Sequence, residues 1–171
     1  IQPVAQIGAI CRQYDIPLLL DAAQTAGCLP ITMQAWNVRG LAFTGHKSLL
    51  GPTGIGGLVL APDLHPQPTR FGGTGIDSTN PLQPQFYPSR LESGTINLLG
   101  ILCLAETVDF LESHCQAHFS GEMQLFTQLV DGLKHLPRVQ LYAADSTADH
   151  LPVLSCTVEG IAATDVGAIL D

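Results

Sequence analysis

Positive charge is what this sequence has least of. Lys plus Arg number 7 against 15 Asp plus Glu, a formal net charge of −8 over 171 residues. Without a Lys/Arg cluster, no basic stripe can track a phosphate backbone or an anionic leaflet. Nucleic acid and membrane surface are therefore excluded as main partners. Long apolar runs are missing too. Stretches such as Pro17–Leu20 fall far short of the ~20 residues a spanning helix needs. Charge of either sign is scarce, at 13% of residues, about half the ~25% usual for a soluble domain. Apolar residues are not scarce: they make up 46% of the chain, with a mean hydropathy of +0.25. That excludes a disordered chain and predicts a soluble globular one.

The five cysteines, Cys11, Cys28, Cys103, Cys115 and Cys156, form no CxxC pair and no zinc spacing. An odd count with no secretion pattern after Ile1 predicts reduced thiols and a cytoplasmic setting. Each cysteine reads as a small apolar residue within a helix, strand or turn. The first residue is not Met and the last, Asp171, falls inside a helical pattern. Together with the charge deficit, this predicts a segment of a longer protein whose other parts cover much of its surface.

Helix and strand alternate along the first half. Val4, Ile7, Ile10, Cys11 and Tyr14 have helical spacing. After Asp15-Ile16-Pro17, the run Leu18–Leu20 predicts a strand buried on both faces, with Asp21 at its carboxyl end. Strands are also predicted at Gly40–Phe43 and Ile55–Leu60. Residues 61–95 carry Pro62, Pro66, Pro68, Pro81, Pro84 and Pro88, an irregular excursion of the kind that serves function or an interface. Beyond it, one helix is predicted from Asn97 through Leu111 and a second over Met123–Leu136. Strands at Val139–Tyr142 and Leu151–Val158 and a helix from Thr164 complete a small α+β unit. The fold class is thus α/β, with residues 1–115 as one domain, including an arm at 61–95, and 116–171 as an incomplete second one.

The chain has two lysines. Lys134 lies on the polar side of a helix and reads as a solvated charge. Lys47 stands just past a strand end, preceded by His46 and followed by Gly51-Pro52-Thr53-Gly54-Ile55-Gly56. A desolvated lysine there can form a Schiff base with a carbonyl. Asp21 ends another strand, and ligands of α/β sheets gather at such ends. A ligand with a ring nitrogen at one edge and an aldehyde at the other would satisfy both residues; pyridoxal 5'-phosphate has that form. A helix cap or strand-end ion pair is the structural alternative for Asp21. His114 and His118 are spaced i, i+4, but no third ligand follows, so no metal is expected. Asp145 and Asp149 read as loop solvation.

Asp21-Ala22-Ala23-Gln24-Thr25-Ala26-Gly27, Thr44-Gly45-His46-Lys47-Ser48-Leu49-Leu50-Gly51-Pro52-Thr53-Gly54-Ile55-Gly56 and Arg90-Leu91-Glu92-Ser93-Gly94-Thr95-Ile96-Asn97 follow in order. Together they resemble the class V aminotransferase superfamily of pyridoxal-phosphate enzymes, its cysteine desulfurase/selenocysteine lyase branch in particular. The resemblance implies fold type I, with part of the large domain (a mixed, mostly parallel sheet) and part of the small domain. It implies Lys47 as the Schiff-base lysine and proton shuttle, and Asp21 on the pyridine nitrogen. Ala23 would pack on the ring face and Gln24 would reach the phenolic oxygen. Thr44 and His46 would bind the phosphate, and Thr95 the phosphate of a neighbouring subunit in a homodimer. Gly72-Gly73-Thr74-Gly75 would lie at that interface or bind phosphate.

The implied substrate is cysteine or selenocysteine, with a sulfur-acceptor protein as a further partner. The implied mobile-loop cysteine and substrate-binding arginine have no counterpart here and would follow Asp171. The isolated chain is therefore expected to be inactive. A class V aminotransferase, epimerase or β-lyase acting on another amino acid, and a non-catalytic structural piece, are the other readings.

Overall fold

A computed structural model describes every residue except 74, 78 and 144–149. Asp145 and Asp149 thus lie outside the described residues. The order of elements is α1 (Val4–Gln13), β1 (Leu18–Asp21), β2 (Val38–Thr44), β3 (Gly56–Leu60), α2 (Leu98–Lys134), β4 (Val139–Tyr142), β5 (Ser155–Val158) and α3 (Ala163–Leu170). The chain divides into two compact units, Pro3–Ser113 and Ile1–Gln2 with His114–Asp171, the boundary falling within α2.

In the first unit β1, β2 and β3 form a mixed sheet in that order. The β1–β2 pair is parallel, with Leu20 opposite Leu41 and Asp21 opposite Ala42. The β2–β3 pair is antiparallel, with Gly40 opposite Leu60 and Thr44 opposite Gly56. Parallel pairing needs a crossover, which residues 22–37 supply. Ala22, Val38 and Leu41 are buried, with Val4, Leu18, Leu20, Met33, Trp36 and Phe43 packed against them. One correction concerns β1. Leu18 and Leu20 turn to this core, but Leu19 is 63% exposed. As an outer strand, β1 buries one face rather than two.

Residues 61–95 carry no helix or strand among those described, as their prolines dictate. They are nonetheless tied together. Tyr87 Oη donates to the Pro66 carbonyl at 2.6 Å, and Gln83 Nε2 to that of Glu92 at 2.8 Å. The Arg90 guanidinium binds the side-chain oxygens of Gln67 and Gln85. Near the start of this segment Arg39 pairs with Asp63. The hydrogen bond from Arg39 holds the Asp63 carboxyl below the ordinary carboxylate value. A depressed folded-state pKa stabilises above the unfolded value, and that stabilisation is lost as pH falls through the folded one. Asp63→Asn should therefore lower Tm slightly at neutral pH, by a margin that shrinks as pH falls below the ordinary carboxylate range, as thermal melts over that range would read.

The second correction concerns α2. The sequence predicts two helices separated near residues 112–122, yet a single helix of 37 residues spans both. No proline interrupts 112–122, and the lone Gly121 costs only about 1 kcal/mol against alanine. In the second unit Phe126 and Val130 of α2 are buried, and the Phe126 ring stacks on His150 at 5.0 Å. There β4 and β5 pair antiparallel, Val139 opposite Val158 and Tyr142 opposite Ser155. The β5 strand begins at Ser155 rather than at Leu151; Pro152, with no N–H to donate, keeps the preceding residues out of a ladder. Among the described residues no helix is long and apolar enough to cross a membrane.

Candidate active site

Because β1 and β2 are parallel, their carboxyl ends share one end of the sheet, and antiparallel β3 starts there with Gly56 opposite Thr44. Asp21 is the last residue of β1 and is exposed. Its Oδ1 accepts the Ala23 N–H at 2.9 Å, an Asx turn that fixes the carboxylate as the chain leaves the sheet. The next residue, Ala22, is fully buried and extends the ladder through its N–H to the Ala42 carbonyl at 2.8 Å. The chain then coils, with Thr25 and Ala26 N–H both donating to the Ala22 carbonyl. This places Ala23, half-buried, and Gln24, exposed, in the turn directly beyond Asp21.

The second half of the site hangs from β2. Thr44 ends the strand, and its hydroxyl lies 2.8 Å from His46 Nδ1. One hydrogen of the pair is used between them and one is left for an anion, on Nε2 or on the hydroxyl according to the ring tautomer. Gly45 is bonded on both sides, its N–H to the Ile55 carbonyl at 2.9 Å and its carbonyl to the Gly51 N–H at 2.7 Å. Between these bonds the chain makes a closed loop carrying Lys47, which is half-buried. The Lys47 carbonyl accepts the Leu50 N–H at 2.8 Å.

Gly27 shows that the two halves touch. Its φ is +95°, and a Cβ there would meet the Ser48 carbonyl oxygen at 2.5 Å and Leu49 N at 2.8 Å. The turn after Asp21 is thus packed backbone to backbone on the residue after Lys47. Gly27→Ala combines a left-handed φ with this collision. It is expected to cost about 3 kcal/mol or more and to lower Tm by several degrees, which a thermal melt of the variant would measure.

The donor set fits pyridoxal phosphate. A carboxylate suits a pyridinium nitrogen, an amine an aldehyde, and a hydroxyl–imidazole pair a phosphate. All stand on two adjoining turns at one end of the sheet. Thr95 is exposed and precedes α2. In the Gly72–Gly75 loop, Thr74 lies outside the described residues, while the Gly73 carbonyl accepts the Gly94 N–H at 2.6 Å. Gly72 and Gly73 line a cleft of about 550 Å³ together with Phe71, Asp77, Asn80 and Leu82; the Asp77 carboxylate there opposes an anion.

Lys134 forms an exposed pair with Asp131 at 3.5 Å. His118 Nε2 lies 3.4 Å from Glu122 Oε1, and no metal-binding group of His, Cys, Asp or Glu is found among the described residues. Cys28 is buried and its thiol reaches the carbonyls of Gln24 and Thr25 at 3.5 and 3.4 Å. Asn97 carries no site signal in the sequence beyond that of a helix cap, as an Asn just before a periodic apolar run.

Known proteins resemble this chain in sequence and in fold. A probable cysteine desulfurase of Chlamydia trachomatis is 29% identical over 175 residues, covering 100% of this chain and 43% of that relative. One of Pasteurella multocida is 30% identical, covering 99% of this chain and 41% of the relative. The apo cysteine desulfurase of Thermococcus onnurineus NA1 superposes with a TM-score of 0.82 at 31% identity, over 99% of this chain and 43% of that one. The Escherichia coli cysteine desulfurase CsdA gives 0.82 at 26% identity, over 98% and 42%. The α/β arrangement is therefore that of solved cysteine desulfurases, and the chain spans less than half the length of the relatives it matches. The description "Aminotransferase class-V" fits residues 1–171 as a whole, and the chain belongs to the class-V aminotransferase family.

Proposed function

We propose that these residues are the cofactor-binding segment of a longer, pyridoxal-phosphate-dependent cysteine desulfurase. It would convert L-cysteine to L-alanine and pass the sulfur to an enzyme cysteine outside this chain. The observation that carries the reading is the packing of the Asp21 turn on the Lys47 loop at one end of the sheet. The named relatives support it. In this reading residues 1–115 belong to the large domain and 116–171 to the small one. The homodimer, the cytoplasmic setting, a selenocysteine alternative substrate and a sulfur-acceptor protein are parts of the same proposal.

When bound, the cofactor supplies an electron sink for the carbanion formed at the substrate Cα. The chain's own residues do the rest. Asp21, fixed by the Ala23 N–H, would hold the ring nitrogen and its proton. Lys47 would hold the cofactor through its amine and serve as base and acid for the proton at the substrate Cα. Ala23 would pack on the ring face, and Gln24 would donate to the phenolic oxygen. Thr44 and His46 hold the phosphate, with the Thr44–His46 bond orienting the imidazole. Thr95 contributes to the phosphate site of the neighbouring subunit.

Supplying L-cysteine to the full-length protein tests the reading. Alanine and persulfide sulfur should appear in equal amounts, and the 171-residue chain alone should give neither. Cys28, the cysteine closest in sequence to Asp21, is buried and turned to backbone carbonyls, in keeping with an acceptor cysteine outside this chain. For the alternatives, a keto acid without sulfide would mark an aminotransferase, a keto acid with sulfide a β-lyase, and the inverted amino acid an epimerase.

A further inference from the structure

The Lys47 loop is hung from the sheet at Gly45, but its far side also needs an anchor. Asn97 supplies one. Its Oδ1 accepts the Gly100 N–H at 3.0 Å, and its backbone carbonyl accepts the Ile101 N–H at 3.0 Å, so it occupies the N-cap position of α2. Its other amide atom faces away from the helix. Nδ2 donates to the Gly54 carbonyl at 3.4 Å, in the loop that returns from Lys47 to β3. One side chain thus ends a helix with its acceptor and holds the lysine loop with its donor.

Two further features show that this face of α2 is built against the loop. A Cβ at Gly51 would lie 2.9 Å from Leu104 Cδ1, and one at Gly45 would lie 3.3 Å from the same atom. Leu104 is seven residues beyond Asn97, two turns along the same face. Buried Gly100 keeps the space the amide needs. A Cβ there would meet Asn97 Nδ2 at 2.5 Å and Cγ at 2.8 Å.

We propose that Asn97 is a positioning residue for Lys47, fixing the 47–54 loop to the first turn of α2 through the Gly54 carbonyl. This rests on the reading of Lys47 as the cofactor lysine, but the tie itself is testable without cofactor. Asn97→Ser keeps an acceptor for the helix cap and lacks a donor long enough to reach Gly54. Asn97→Ala removes both functions. Gly100→Ala leaves Asn97 in place and displaces its side chain.

The readout is hydrogen exchange of the cofactor-free full-length protein, followed at the peptides covering 45–55 and 98–104. Asn97→Ser and Gly100→Ala should both speed exchange over 45–55 by about three- to tenfold, the worth of one hydrogen bond, with 98–104 unchanged in Asn97→Ser, which keeps the cap acceptor. Asn97→Ala should speed both. Unchanged exchange over 45–55 in both Asn97→Ser and Gly100→Ala overturns the proposal.

In the holoenzyme, the Lys47-dependent absorbance band should shift its pH midpoint in Asn97→Ser, whereas a purely structural cap leaves it fixed and would contradict the positioning role. If wild-type protein shows no pyridoxyl adduct at Lys47, the functional reading fails, while the exchange result still judges the tie.

Discussion

Lys47→Ala is expected to abolish turnover in the full-length protein, with loss of proton transfer alone costing on the order of 10²- to 10⁴-fold in kcat. The proposed covalent anchor would be lost with it, so the cofactor should also wash out on dialysis. The effect should be specific because Lys47 is half-buried on a loop whose backbone bonds run through Gly45, Leu50 and Gly51 main-chain atoms. None of those bonds uses the lysine side chain, and Tm of the cofactor-free variant should match the parent. Kinetics with L-cysteine and a melt without cofactor check both parts. Lys134→Ala is the control, since its exposed pair with Asp131 is worth little.

Asp21→Asn is expected to lower kcat by about 10²- to 10³-fold, the scale on which a preorganised charge at a reacting centre acts. The amide oxygen of asparagine can still accept the Ala23 N–H that Asp21 Oδ1 accepts now, so the turn is kept. What disappears is the negative charge that, in the proposed function, would hold a proton on the ring nitrogen. The variant should therefore bind cofactor through Lys47 and fold normally while turning over slowly. Steady-state kinetics beside the holoenzyme absorbance spectrum would separate these effects. A kcat within threefold of the parent would remove Asp21 from the chemistry.

Much of this site was legible in the sequence because strand ends are. Leu18–Leu20 and Gly40–Phe43 are short apolar runs closed by polar residues. Parallel pairing, Asp21 opposite Ala42, then brings Asp21 and Thr44 to the same end. The Thr44–His46 contact arises where the chain turns at Gly45 beyond the strand. Other features depend on what surrounds an element rather than on its own pattern. Leu19 carries the same apolar signal as its neighbours and is exposed only because β1 is an outer strand of this sheet. The continuity of α2 is less plain because residues 112–122 hold only Cys115, Ala117 and Phe119 as apolar side chains, although nothing in them stops a helix. The fit of Gly27 on Ser48 and the double use of Asn97 are contacts between segments far apart in sequence, which periodicity does not register.

Exposed apolar side chains bear on the same point. Leu58, Val59 and Leu99 are 50%, 45% and 76% exposed in this chain, on the strand and helix that flank the site. With charged residues at only 13%, such a surface accords with a segment whose relatives are more than twice its length.

The two-lysine composition allows a direct test of the central claim. Borohydride reduction of the cofactor-loaded full-length protein, followed by proteolysis and mass spectrometry, locates the amine that bonds the cofactor. The account predicts a stable pyridoxyl group on the peptide containing Lys47. A pyridoxyl group on Lys134, or on a lysine outside these 171 residues with Lys47 unmodified, would contradict it.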